Sequence, residues 1–397
     1  MIEVWISELL SGLWKLFIHP VFYITFLLAA FLGVSRVKKE RSFFHVRAQN
    51  AYFELKQVVP IGLLLGFISS IIILASGLVI TLEFISFLAI ITIFFSLFFR
   101  PRLLSTSLVY GTAFFLTTLA HQLDWELPKW LHSLDGVTSN YLTNMAILLA
   151  LLLIIEGILI VKNGVKATSP QLKKSKRGQV IGVHQSSRIW LVPMFLLIPG
   201  DTLLSFADWW PVFEIGKETF SIIFVPFAIG FSQMVQGDLP KKIIHEHGNK
   251  VILLGIATLI LSIATYWWAL GAIIVVALAV ISRELIYLKI KLADESKSFF
   301  FSKRNEGVLI LGILPQSPAE QMGLLPGEVV TKVNGIKVYD STSFYAAVSS
   351  NRAQCKLEVL NVEGQVRFAQ RSLYEGDHHE LGILSVEKER RRKRLSS

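Results

Sequence analysis

A chain of 397 residues with 53% apolar side chains, 17% charged ones, 28 Phe and a mean hydropathy of +0.55 departs from a soluble enzyme, whose charged share lies near a quarter. A single cysteine, Cys355, excludes an intrachain disulfide framework and any multi-cysteine metal or iron–sulfur site. The 39 basic against 29 acidic residues, net +10, suit anionic lipid or nucleic acid, and their distribution along the chain decides between the two.

In chain order, nine apolar runs are long enough to be read as spanning helices, at about 17–34, 59–80, 82–100, 103–121, 141–161, 189–207, 219–236, 251–268 and 269–288. The expected fold is a polytopic α-helical membrane protein of about 7–9 transmembrane helices over residues 1–291. The first sixteen residues hold Glu3 and Glu8 ahead of Lys15, lack the basic start of a signal peptide, and are kept as an anchor. The sixth run carries Pro193, Pro199 and Asp201, and it and the seventh are the weakest of the nine. Trp267-Trp268 interrupts the last long apolar stretch as an interfacial turn. Gly62 and Gly66 in the second run allow close helix approach, which leaves self-association open. Glu156 lies within the fifth run, where a carboxylate either snorkels toward Lys162 or bonds to a neighbouring helix.

Lysines and arginines set the orientation. The segments 35–58 (Arg36, Lys38, Lys39, Arg41, Arg47, Lys56), 100–102 and 162–188 are basic, whereas 122–140 and 201–217 lean acidic, with Asp124, Glu126, Asp135, Asp208 and Glu214. The expected topology has the N-terminus outside, a multi-pass region in the cell membrane, and everything after about residue 289 in the cytoplasm.

Past Lys291 the pattern changes to strand-sized apolar pieces separated by turn residues. Residues 292–299 are read as a linker, 300–386 as a folded domain and 387–397 as a basic tail. Gly307 to Leu314 reads as a buried strand, and Ser317-Pro318 opens a short helix that Gly323 closes in the left-handed conformation. Pro326-Gly327 makes a type II turn before a strand at 328–333, Asn334-Gly335 is a hairpin signal, and Asp340 or Ser341 caps a helix to about Ser350. The segments 356–360 and 365–369 form a hairpin across Glu363-Gly364.

The run Gly307-Val308, Ser317-Pro318-Ala319, Gly323-Leu324, Gly327 and Asn334-Gly335 resembles the bacterial PDZ family, with Glu328 where an Asp is usual. The resemblance implies a partly open β-barrel with two helices that captures a peptide by strand addition. It further implies a binding turn at Leu381-Gly382-Ile383, as in circularly permuted members, and a pocket lined by Phe344, Ala347 and Val348.

Catalytic patterns are sparse. A PDZ domain on a polytopic chain also resembles the site-2 type intramembrane proteases, but His245-Glu246-His247 puts two imidazoles two residues apart, not on one helix face, and Leu134-Asp135-Gly136 precedes them. The histidines are read as a solvated loop pair, with no metal and no cofactor. No nucleophile elbow or phosphate loop exists. The six cations among residues 388–394 suit an anionic leaflet better than nucleic acid, since no aromatic interleaving accompanies them. Taken whole, the layout resembles the polytopic, PDZ-bearing division-site adaptors of Bacillus-like bacteria. That resemblance implies a non-enzymatic scaffold at septum and poles whose protein partners are DivIVA, the MinC–MinD inhibitor and the division machinery.

Overall fold

A computed structural model describes residues 2–123, 125, 140–204, 210–212, 219–351, 354–372 and 381–386. The acidic segments around Asp135 and Glu214, and the basic tail, lie outside the described residues.

The N-terminal region opens with α1 (Ile2–Ile18) and α2 (Pro20–Phe44), followed by α3 (Phe53–Gln57), α4 (Pro60–Ser76), α5 (Leu82–Ser96), α6 (Thr106–Gln122) and α7 (Tyr141–Leu159), the last extended by a π-helical turn to Gly164. Then come three strands, β1 (Ser169–Lys174), β2 (Val180–Leu204) and β3 (Thr219–Val235), and two long helices, α8 (Pro240–Ala264) and α9 (Gly271–Ser296). Among the described residues five helical stretches are long and apolar enough to cross a membrane: Pro20–Phe44, Phe53–Ser76, Tyr141–Gly164, Pro240–Trp267 and Gly271–Ser296. The apolar α5 is shorter. The interfacial turn at Trp267-Trp268 does separate α8 from α9.

The runs at 189–207 and 219–236 are corrected: their described residues 189–204 and 219–235 belong to the antiparallel strands β2 and β3, not to helices. Their composition explains this. Both are rich in β-branched and aromatic residues, and each carries a proline that would break a helix. In the ladder Pro193 faces Pro226, so both missing N–H groups fall on one rung. A sheet edge in apolar surroundings must satisfy its backbone from the same chain. Here Leu191 N–H donates to the Val58 carbonyl (2.9 Å), Phe195 N–H to Ser70 Oγ (2.9 Å), and the Leu197 carbonyl accepts from Ile80 N–H (2.8 Å). Gly62 and Gly66 let α4 lie directly on the β2 carbonyls of Leu191 and Pro193. Their close approach is thus made within the chain, to a strand, and does not serve helix self-association. On the β3 side the turn at Pro101 lies against Gly230 in the same way.

Charges inside this region are paired. Glu156 of α7 accepts from Arg283 Nε of α9 (2.9 Å) and from the Thr106 N–H that starts α6 (3.1 Å), with all three elements buried at that point. Glu156 therefore bonds to its neighbours and does not snorkel. Arg36 of α2 bonds to Glu40 (2.9 Å) and Glu54 (2.7 Å), and Arg188 of β2 joins Glu54 (3.2 Å). Arg36 and Arg188, expected as loop charges, instead clamp α2, α3 and β2 together.

The C-terminal domain contains β4 (Val308–Ile313), α10 (Pro318–Gln321), β5 (Val329–Val333), β6 (Ile336–Lys337), α11 (Ser341–Ser350), β7 (Gln354–Leu360), β8 (Val366–Ser372) and β9 (Ile383–Ser385). The sheet order is β8-β7-β5-β4-β9, with β6 paired to β5. The local signals act as read from sequence. Ser317 caps α10, Gly323 has φ +67°, Gly327 +97°, Asn334 and Gly335 +50° and +84°, and Asp340 forms a capping box with Ser343. Arg367 of β8 pairs with the buried Glu328 (2.6 Å), the residue that departs from the usual Asp.

Candidate peptide groove and its seat on the membrane region

The residues expected from sequence to border the groove are brought near one another by contacts between distant segments. Leu381 and Gly382 both have positive φ, +53° and +78°. Their carbonyls accept from Ala319 N–H (2.9 Å) and Leu314 N–H (2.8 Å), so the Ser317-Pro318-Ala319 turn holds the entry to β9. A Cβ on Gly382 would lie 2.3 Å from the Ser317 Cβ. Gly382→Val is accordingly expected to destabilise the domain by about 3 kcal/mol, combining backbone strain with overpacking. Gly323→Ala, with open space around its Cβ, is expected to cost about 1 kcal/mol from conformation alone. Thermal unfolding of the two variants checks the ranking, and equal losses would refute it.

Strand β9 ends the sheet, and no strand covers its outer edge among the described residues. Phe344, Ala347 and Val348 of α11 are buried in one apolar cluster with Leu381, Ile383, Leu324 and Ala319. The exposed positions of α11 include Tyr345, Ala346 and Ser349, which sequence reasoning did not single out. Capped amphipathic helices show which face is apolar but not which exposed residue borders a groove.

The opposite face of the sheet is packed against the N-terminal region. Leu309, Leu311, Val329 and Val386 form a cluster with Phe301 that meets Phe44, Leu172, Val180 and Leu239. Phe301 bridges to Gly182 of β2, whose N–H donates to the Phe301 carbonyl (2.7 Å), and Phe300 N–H donates to the Gln236 carbonyl (3.0 Å). Of the stretch 292–299 expected as a linker, residues 292–296 belong to α9, and Asp294 accepts from the N–H groups of Gln236 and Gly237 (2.8 and 3.0 Å). The domain is therefore seated, not loosely tethered.

His184 sits in that seam. Its Nε2 donates to the Leu311 carbonyl (2.9 Å), which fixes the neutral tautomer and leaves Nδ1 to accept from Thr168 Oγ1 (2.9 Å). Burial pushes the imidazole down from 6.5 to about 4, although the bond to Leu311 pulls upward. The seated form excludes a proton that the separated form takes up below its ordinary pKa. Seating is therefore at full strength above pH 6.5 and weakens by roughly 1.4 kcal/mol per pH unit down to about pH 4. Hydrogen exchange of β4 amides at pH 7 and pH 5, corrected for intrinsic rates, measures this, and unchanged protection would refute it.

The histidine pair needs correction. His245 and His247 lie on α8, not in a loop. His245 is half-buried with Nδ1 at 2.8 Å from the Lys241 carbonyl, while His247 is buried between Phe231 and Tyr287 with neither ring nitrogen hydrogen-bonded. The two point to different sides, as their spacing requires. Among the described residues no three His, Cys, Asp or Glu side chains gather in a way that would hold a metal ion.

These features define a multi-helix membrane protein carrying a small C-terminal β-domain of PDZ type. The PDZ domain family model matches residues 309–361. The chain is 36% identical over 99% of its length, and 98% of the relative's, to the cell division topological determinant MinJ of Bacillus subtilis (strain 168). It is 22% identical over 93% of its length to probable cell division topological determinants MinJ of Lacticaseibacillus paracasei and Lacticaseibacillus casei (strain BD-II), covering 96% of each. No solved structure matches it. The chain belongs to the MinJ family. The relatives' names describe a positional role and no catalysed reaction, in line with a non-enzymatic protein.

Proposed function

We propose that the protein is a membrane scaffold in division-site selection, placed at septum and poles, with its N-terminus outside and its PDZ domain in the cytoplasm. In this reading it links DivIVA to MinC–MinD and contacts the division machinery. The observation that carries the proposal is the pairing of a β9 edge beside which no described strand lies with a firmly seated opposite face. A segment added to β9 would be held at a set distance from the membrane, because the rest of the domain is bonded to β1, β2 and the β3–α8 connection. Confinement of this kind raises the effective concentration of several weakly bound partners, so no single tight site is required.

The test is in-cell photo-crosslinking from Tyr345 of α11, compared between the parent and Gly382→Val. We expect division proteins among the adducts of the parent and their loss in the variant at equal membrane abundance. Identical adducts in both, or adducts containing no division protein, would remove the groove from the function. A C-terminal reporter active only outside the cell would overturn the orientation.

A further inference from the structure

A second surface lies outside the groove, on the first turns of α8. An open, shallow cavity of about 730 Å³ lies along this one helix face, bordered by Lys241, Lys242, His245, Asn249 and Lys250, with Leu239 and Leu253 as its apolar residues and Glu246 its one acid. Lys242 is held by Asp238 (3.0 Å) and Lys250 by Glu246 (2.6 Å), whereas Lys241 has no ion-pair partner among the described residues. Below the lysines the same helix face continues as Leu253, Ile256 and Ile260, all exposed, 68%, 43% and 65% respectively. Spacings of three and four residues place these three in one stripe. The helix thus presents cations at the end nearest the PDZ domain and an uncovered apolar track running away from it.

Position adds a second observation. Leu239, at the cavity's rim, also belongs to the cluster that buries Val386. The cavity therefore lies at the seam with the PDZ domain. Its three lysines stand against one acid, Glu246, which suits an anion, and a soluble acidic protein would leave the apolar track unused.

We propose that this cavity binds the phosphodiester headgroup of an anionic phospholipid from the leaflet on the PDZ side, with an acyl chain along Leu253, Ile256 and Ile260. Lys241 and His245, one helical turn apart, face the phosphate, and Lys250 adds to the positive charge of the surrounding surface. The full-length protein, reconstituted in nanodiscs of phosphatidylcholine with phosphatidylglycerol, is released and its retained lipids are counted by native mass spectrometry. Each cation near such a surface is worth about fivefold in affinity. K241Q/K250Q is therefore expected to lower phosphatidylglycerol retention by roughly tenfold or more. The charge-matched pair K173Q/K176Q, exposed at the end of β1 and on the turn that follows it, is expected to stay within about twofold of the parent. Equal retention of the two lipids by the parent, or equal losses in the two variants, would overturn the site. Displacement of the lipid by inorganic phosphate or by polyglutamate would reassign the cavity to a soluble anion or to an acidic protein and would equally overturn it.

Discussion

Gly62→Val and Gly66→Val are each expected to destabilise the membrane region by about 3 kcal/mol or more, the upper range for overpacking a buried contact. The reason is specific. A Cβ at Gly62 would lie 2.1 Å from the Leu191 carbonyl oxygen, and one at Gly66 2.2 Å from that of Pro193. Both obstacles are backbone, so no rotamer change relieves them. Shifting α4 away from β2 would also stretch the bonds from Leu191 to Val58 and from Phe195 to Ser70 that satisfy the strand edge, and unsatisfied backbone is costly in an apolar setting. Gly12 of α1 is the control, since its Cβ would rest at an ordinary 3.4 Å from the Ile222 carbonyl. Detergent-solubilised Gly12→Ala should melt close to the parent while the α4 variants melt far below it. Equal melting of Gly62→Val and Gly12→Ala would refute the packing of α4 on β2.

The second large effect concerns the buried pair of α7 and α9. Arg283→Met leaves the Glu156 carboxylate buried with only the Thr106 N–H as donor, and removal of one partner of a buried ion pair costs about 3–5 kcal/mol. Glu156→Gln strands the guanidinium instead and is expected to cost a similar amount. The double variant Glu156→Gln with Arg283→Met removes both charges and is expected to recover a large share of the loss. Urea or thermal unfolding of the four proteins closes the cycle. Simple additivity of the two single losses would show that the groups do not act as a pair.

How much of this was legible in advance depends on how local the cause is. The turns of the PDZ domain were, because Gly323, Gly327, Asn334 and Gly335 adopt positive φ for reasons held within four residues. The Asp340 cap of α11 has the same local origin. The apolar runs of the N-terminal region were legible as membrane-compatible, but a continuous apolar run does not reveal its period. Runs 189–207 and 219–236 therefore read as helices, and only Pro193 and Pro199 hinted otherwise. The carboxylate groups Glu40 and Glu54 escaped notice because their guanidinium partners come from both near and far, Arg36 at 18 residues and Arg188 at 134 residues from Glu54. Basic segments flanking membrane spans are usually solvated, which made a loop assignment natural for both arginines.

Within the candidate groove the division is similar. Leu381-Gly382-Ile383 could be named from its resemblance to a family turn, yet nothing local ties it to Ser317 or to Ala319. That tie is a contact across the permuted barrel. Tyr345 and the seam at His184 had no signature at all, since one is an ordinary exposed residue of a capped helix and the other a lone histidine in a basic connecting segment.

Composition, apolar run length and turn chemistry alone thus determined that a membrane-compatible apolar region precedes a small β-domain, because those properties act residue by residue along the chain. Tertiary structure alone decided that two of the runs form a hairpin sealed by α4, that the buried charges meet oppositely charged partners, and that the barrel is seated with β9 as the last strand of its sheet. Each of those outcomes depends on which backbone groups and charges find partners tens to more than a hundred residues away, and that pairing exists only once the chain has packed.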